Sequence, residues 1–544
     1  MAYNKNMQTD CSVYCLIRQR LTQNPDLPAV TFRGRSMTRR ALSDTVEALA
    51  AGLSERGVAQ GDSVAIHLPN LPQAVVAFYA LQKIGAVANM IHPLIPAEGV
   101  VKICRACGTR YVFVADVLAA EKLSAFLNAG LTPIVCRFQD VLSFAEGVLF
   151  GLKTRKKLKN APLRDCLSYR ELLARGKGQR VAEPVISSDD TAVYLHSGGT
   201  TGEPKTIELS HRALNELANS LQPVIEGEQI GSILAILPLF HGFGLGVCMH
   251  TALALGIDVH LLPRFSAKEV AAMIDKYRIG VLAGVPTMYE KLLEEPAFRK
   301  AELKSLQRLF CGGDKLNAAF KQKFDAFLAE KGVNAELQEG YGLTEVVTVC
   351  ALTPRGDRSD GVGQALKGMR LKVVDASGKE LPAGEKGELL VLAPTRMKGY
   401  LNDPASTEAS FVRDRDGIWV RTGDCCYLDD IGNIHFVERM KRTVKIAGVN
   451  VYPAEIERIV HTVPGVERCC VVDRIEGGKT LLDLYVIAES NVDRQILEKI
   501  DRKLMKYNRP SRIIYRQSFP TTAVGKIDYN ALRRESEGTT NKVF

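Results

Sequence analysis

Between Leu195 and His211 the chain reads LHSGGTTGEPKTIELSH. Ser197, Gly198, Gly199, Thr200, Thr201 and Gly202 set bare backbone beside hydroxyls, and Lys205 follows with a cation. Glycine lets backbone N–H groups approach and face a ligand, hydroxyls add donors, and an ammonium supplies a point charge. Together these make a cradle for a polyphosphate. The spacing is not that of the Walker loop, which closes on Gly-Lys-Ser/Thr. A glycine-rich run alone is commonly no more than a turn, but hydroxyls and a lysine at this density favour phosphate.

Other stretches carry chemistry only in combination. EGYGLTE (Glu339 to Glu345), taken alone, reads as a turn entering a helix, and the Asp424 of RTGD as a β-turn aspartate. RMKRTVK (Arg439 to Lys445) reads as a solvated linker, and Lys526 of AVGKI as a surface lysine. His241 of LPLFHGFGLG has a core histidine with a backbone partner as its alternative reading. CRAC, Cys104 to Cys107, has no second pair at zinc spacing and reads as thiols packed at a helix end.

The elements that must position these residues are those of a large soluble protein. At 544 residues the chain exceeds one core, and usual domain sizes give roughly two to four units. A net charge of +10 favours anionic partners, but no dense arginine tract or basic-aromatic repeat points to nucleic acid. No export signal opens the chain, and thirteen dispersed cysteines fit reduced thiols, so a cytoplasmic location is expected. From Leu27 to about residue 345, helical stretches such as ALSDTVEALAAGLSERG alternate with short apolar runs such as SVAIHLP and RYVFVAD, which predicts α/β lobes with parallel sheets. After Gly361 a small β unit is expected, and from about Arg439 a strand-helix-strand segment. Residues 143–160, SFAEGVLFGLKTRKKLKN, place Phe144, Val148, Leu149, Phe150 and Leu152 before five cations. Two readings stand: an amphipathic helix on an anionic membrane surface, or a solvated basic loop between lobes.

Five motifs together resemble those of the adenylate-forming enzymes, the acyl- and aryl-CoA synthetases, luciferases and adenylation domains. They are SGGTTGEPK, EGYGLTE, IWVRTGD, ERMKRTVKIAGVNVYPAEIE and FPTTAVGKI, in the family's order between Ser197 and Ile527, and the resemblance covers about residues 27 to 535. The resemblance implies an AMP-binding N-terminal domain over 1–438 and a mobile C-terminal lid over 439–544, hinged near Lys441. It further implies that Ser197 to Lys205 hold the β- and γ-phosphates, that Gly340, Tyr341 and Gly342 border the adenine, and that Thr344 bonds phosphate oxygen. Glu345 would hold Mg²⁺, which prefers oxygen ligands. Asp424 and Arg439 would meet the ribose. Lys526 would bridge carboxylate and α-phosphate in the first half-reaction, and Lys445 with Gly448 would serve thioester formation. His241, Phe243, Gly244, Val285, Gly312, Gly313 and Asp314 would line the acid pocket.

Departures from the family pattern are Gly198 for serine, Thr206 for glycine, Asp314 for a small apolar residue and Asp528 for a basic one. None removes a charge the chemistry requires. The expected function is an ATP- and Mg²⁺-dependent acyl-CoA synthetase acting on a medium- or long-chain fatty acid, with aryl and bile-acid-like acids open and CoA as co-substrate. The rivals are an enzyme loading a separate carrier protein and a nucleotide-binding regulator without turnover.

Overall fold

Strands Ser63–His67 and Tyr111–Ala115 are buried at every position, as parallel strands covered on both faces must be. In the computed structural model they lie in an eight-stranded sheet in which Thr191–His196, Val87–Met90, Ser63–His67, Tyr111–Ala115, Thr132–Cys136 and Leu167–Ser168 run parallel. Thr206–Ser210 and then Gly399–Tyr400 extend its edge antiparallel. The structure describes residues 7–196, 205–357, 360–446, 449–476, 479–488, 491–504, 509–520 and 527–538.

A nine-stranded sheet has six parallel strands at its centre: Leu337–Gly342, Arg308–Gly312, Val281–Gly284, Ser232–Ala235, Asp258–Leu261 and Pro28–Phe32. Antiparallel strands flank both ends. Helices begin where the sequence supplies caps. Thr38 accepts from Ala41 N–H at the head of Arg39–Glu55, and Gly85, at φ 80°, closes Pro72–Ile84.

Packing divides the chain into a large unit, Met1–Arg370 with Val391–Val420, and a small unit, Leu371–Leu390 with Arg421–Phe544. Both sheets above belong to the large unit. The small unit carries the expected strand-helix-strand segment: Val449–Val451, helix Pro453–Val460 and strand Val466–Glu476, the last paired antiparallel with Lys479–Ala488. Its apolar core includes Val451, Ile456, Val460, Leu484 and Ile496. Arg474 and Arg512 close on the fully buried Asp483.

All thirteen cysteines are free thiols, and Cys104 and Cys107 are buried at the end of helix Ala97–Ala106 as expected. Among the described residues no helix is long and apolar enough to cross a membrane.

Candidate active site

In the large unit, strands Arg308–Gly312 and Leu337–Gly342 pair in parallel through Gly312 opposite Gly340. Their carboxyl ends open on a cavity, the place where open α/β sheets bind ligands. It encloses about 230 Å³, several times the ~30 Å³ share of one water, so an organic group fits. His241, Phe243, Gly312 and Gly313, expected at the acid, and Gly340, Tyr341, Gly342 and Thr344, expected at the nucleotide, line it together. Its remaining wall is mostly apolar, with Ile225, Ile233, Leu255, Ile257, Val281 and Phe310.

Close backbone contact dictates the glycines. A Cβ at Gly342 would stand 1.6 Å from the Thr348 carbonyl oxygen, one at Gly242 1.7 Å from that of Val347, and one at Gly244 2.1 Å from that of Pro238. Val347 itself has φ 68° and ψ −57°, a γ-turn conformation rare for a β-branched residue, and its N–H donates to Thr344 C=O at 3.0 Å. This turn brings Thr344 and Val347 to the same cavity as His241. Phe243–Thr251 winds as a π-helix, so Phe243, Val247 and Thr251 present one face to the cavity.

His241 is exposed at the cavity, which removes its alternative reading as a core histidine. Gly244, Val285 and Asp314 stand outside this cavity's lining. Gly244 is pressed on the Pro238 carbonyl, Val285 precedes helix Pro286–Glu294, and Asp314 is exposed and accepts from the Lys315 N–H at 2.8 Å.

Three residues not singled out by sequence organise the surroundings. The Tyr400 hydroxyl donates to Glu345 Oε1 at 2.9 Å, while Lys205 Nζ lies 4.5 Å from the centroid of the same ring and 4.0 Å from Asp403. One phenol thus joins the lysine of the glycine-rich loop to the motif glutamate. His196, opposite Thr206 in the ladder, shares hydrogen bonds with Asn89 Oδ1 at 2.7 Å and Thr206 Oγ1 at 3.1 Å, and burial pushes its imidazole down to about 4. Glu339 accepts from Leu316 N–H at 3.1 Å, and burial raises its carboxyl to about 7 against the opposing pull of that bond and of Lys315 and Lys321. Tyr400, distant in sequence from both its partners, left no local signal; Glu339 stood in a quoted motif without a role.

In the small unit Asp424, 1% exposed, pairs with Arg439 at 2.9 Å across a strand ladder that sets the two residues opposite each other. Lys441 is exposed in the turn Met440–Arg442. Its neighbour Arg442 is not the solvated cation expected of a linker: it bonds Glu457 at 2.7 Å and Glu438 at 3.3 Å and lies over the Tyr529 ring. Burial raises Glu438 to about 8 despite Arg442. Lys445 sits in strand Val444–Ile446 opposite Asn450. Ser197, Gly198, Gly199, Thr200, Thr201, Gly202, Gly448 and Lys526 lie outside the described residues.

Two family models match, the AMP-binding enzyme over residues 17–401 and the AMP-binding enzyme C-terminal domain over 455–526. The chain belongs to the AMP-binding enzyme family. Among relatives of this AMP-binding enzyme, a long-chain-fatty-acid–CoA ligase of Bacillus subtilis (strain 168) is 30% identical over 523 residues, covering 92% of this chain and 90% of that protein. 4-Coumarate–CoA ligase 4 of Arabidopsis thaliana is 28% identical, covering 94% and 88%. The ATP-bound MatB of Rhodopseudomonas palustris superposes with a TM-score of 0.83 at 25% identity, over 97% of this chain and 99% of that one. The fold expected from the motifs, parallel α/β lobes followed by a small α+β segment, is the fold of these AMP-binding enzymes.

Proposed function

We propose that this AMP-binding enzyme is an AMP-forming acid–thiol ligase acting on ATP, a carboxylic acid and CoA. A carboxylate oxygen attacks the α-phosphorus, the bond from that phosphorus to the bridging oxygen breaks, and pyrophosphate leaves. The sulfur of CoA then attacks the acyl carbon and AMP departs. The observation that carries the reading is the cavity itself, apolar along one wall and meeting hydroxyl, imidazole and bare backbone at Thr344, Tyr341, His241 and Gly342. Such a seat orients a carboxylate toward a nucleotide while its tail is out of water.

The roles of the side chains are those the family resemblance implies. His241 borders the carboxylate, Lys205 and the hydroxyl-rich loop hold the phosphates, and Asp424 with Arg439 takes the ribose. Asp424 is buried and already paired, so ribose would bind by displacing the more exposed Arg439 from it. Lys526 serves adenylation; Lys445 and Gly448 serve thioester formation after the segment beyond Lys441 turns. Glu345, a carboxylate held by a phenol, suits a Mg²⁺ ion that arrives with the triphosphate and lowers its charge.

For the acid, the apolar wall and the resemblance to a fatty-acid ligase support a medium- or long-chain fatty acid. The resemblance to a 4-coumarate ligase favours an aryl acid as the second reading. Purified protein with ATP, Mg²⁺ and CoA, offered octanoate, laurate, palmitate, cinnamate and malonate, is expected to release pyrophosphate and consume thiol with the alkyl acids. Preference for cinnamate selects the aryl reading. Pyrophosphate without thiol loss points to a carrier protein, and no pyrophosphate with any acid favours the regulator.

A further inference from the structure

Residues Phe144–Leu158 form one helix, opened by a capping box between Ser143 and Glu146. It is docked by one face only. Phe150 stacks on Phe138 with centroids 4.9 Å apart, and glycines at 147 and 151 bring the helix against Gln139, where an added Cβ would stand 3.3 and 3.1 Å from its oxygens. Phe150 therefore belongs to the packed face, not to the apolar stripe that the sequence suggests.

The opposite face is bare. Phe144 is 90% exposed, Val148 50%, Leu149 55% and Leu152 65%. At 3.6 residues per turn these four fall within an arc of about 140°. Elsewhere among the described residues exposed large apolar side chains occur singly, and no other helix carries two. Single ones are ordinary; a clustered stripe marks a contact. Charge is segregated along the same helix. Lys153, Arg155, Lys156 and Lys159 are exposed and follow the apolar turns, while no Asp or Glu occurs between Glu146 and Asp165. Arg155 and Lys156 fall inside the same arc as the apolar four.

The geometry points to this helix as a docking surface for an anionic lipid bilayer, entered by the Phe144 end. The apolar turns reach the acyl boundary, and the cationic turn stays among the headgroups with its stems laid on the apolar layer. Charge complementarity selects this occupant: an apolar patch followed by cations without an intervening acid matches a surface that is apolar inside and anionic at its rim. The helix contributes nothing to the cavity described above, so this docking is separable from turnover.

The full chain is sedimented with vesicles of phosphatidylcholine alone or mixed with phosphatidylglycerol, at low and high salt. Binding is expected to be at least ~10-fold stronger on the anionic vesicles and to weaken with salt. Replacing Phe144, Val148, Leu149 and Leu152 by serine is expected to lower it ~10-fold or more, and Lys153→Glu with Lys156→Glu to remove its salt dependence. Both variants should keep the parent's circular dichroism, and its pyrophosphate release with a water-soluble acid. Equal vesicle binding by the parent and the serine variant overturns the proposal. So does a parent that ignores both vesicle types, or concentration-dependent dimerisation lost in the serine variant, which assigns the face to a second copy.

Discussion

The cavity of the large unit and the paired charges of the small unit hold their side chains by opposite means. Around the cavity, position is dictated by volume. Gly342, Gly242 and Gly244 are glycine because a carbonyl oxygen occupies the place of the missing Cβ. In the small unit, position is dictated by charge: Asp424 on Arg439, and Glu438 and Glu457 on Arg442. A steric constraint is indifferent to salt and pH and fails abruptly when one methyl is added. An ion-paired one is graded, responds to ionic conditions and can exchange partners. Exchange of partners at Asp424, as the proposed ribose contact requires, is therefore compatible with a stable fold, whereas the cavity must be built before any ligand arrives.

The sharpest break in this contrast is Gly342→Ala. Its Cβ would lie 1.6 Å from the Thr348 oxygen, whereas at Gly340 the nearest atom is a Val349 methyl at 3.3 Å. Gly342→Ala is expected to cost about 2 kcal/mol or more of stability and most of the pyrophosphate release, with Gly340→Ala within about 1 kcal/mol of the parent. Thermal melts of the pair check this; similar losses at both positions would sink the steric account.

Tyr400 is where the large unit departs from pure sterics. Tyr400→Phe removes the hydroxyl from Glu345 and leaves the ring beneath Lys205. It is expected to raise the Mg²⁺ concentration for half-maximal pyrophosphate release about tenfold, the scale of a hydrogen bond to a charged group. Calorimetric binding of ATP with and without Mg²⁺ supplies the second readout. Only the Mg²⁺-dependent part should weaken in Tyr400→Phe, while Tyr400→Leu should weaken both; unchanged Mg²⁺ dependence in the phenylalanine variant removes the assignment.

The most gradual effect tests a buried charge in the large unit. Glu339 titrates near 7 in the folded chain, above the ordinary 4.5. The folded state thus holds its proton more tightly, and this contribution to stability is present below about pH 4.5 and lost as pH rises to about 7. Glu339→Gln stays neutral and can still accept from Leu316. Its melting temperature relative to the parent is expected to climb by a few degrees between pH 5 and 8, an effect of order 1–3 kcal/mol. A gap that is flat with pH contradicts the burial of an ionisable carboxyl.

Much of the cavity was legible because its residues cluster in short motifs. His241, Phe243 and Tyr341 to Thr344 each sit within a few positions of glycines that mark a close approach, and they converge. What stayed hidden depends on long-range packing or on rare backbone. The π-helix at Phe243–Thr251 has the composition of any buried helix. Tyr400 meets Glu345 through the sheet edge that pairs Gly399–Tyr400 with Thr206–Ser210 and through Met397 N–H, which donates to the Glu345 carbonyl at 2.7 Å. Arg442 read as linker because local composition does not show that Glu438 and Glu457 fold onto it. Asp314 seemed a pocket residue by its place in CGGDKL, but its exposed turn takes it outside the cavity's lining.

Val347 touches both sides of the cavity. Its carbonyl abuts Gly242, its γ-methyl neighbours Gly246, and its backbone closes the turn that begins at Thr344. On the proposed function, the wall beside the acid's tail and the hydroxyl beside the reacting group are consequently one mechanical piece. A tail that strains this wall drags the hydroxyl with it. A poor acid should therefore occupy the protein readily and stall there, so that selection among acids is exercised through velocity more than through occupancy.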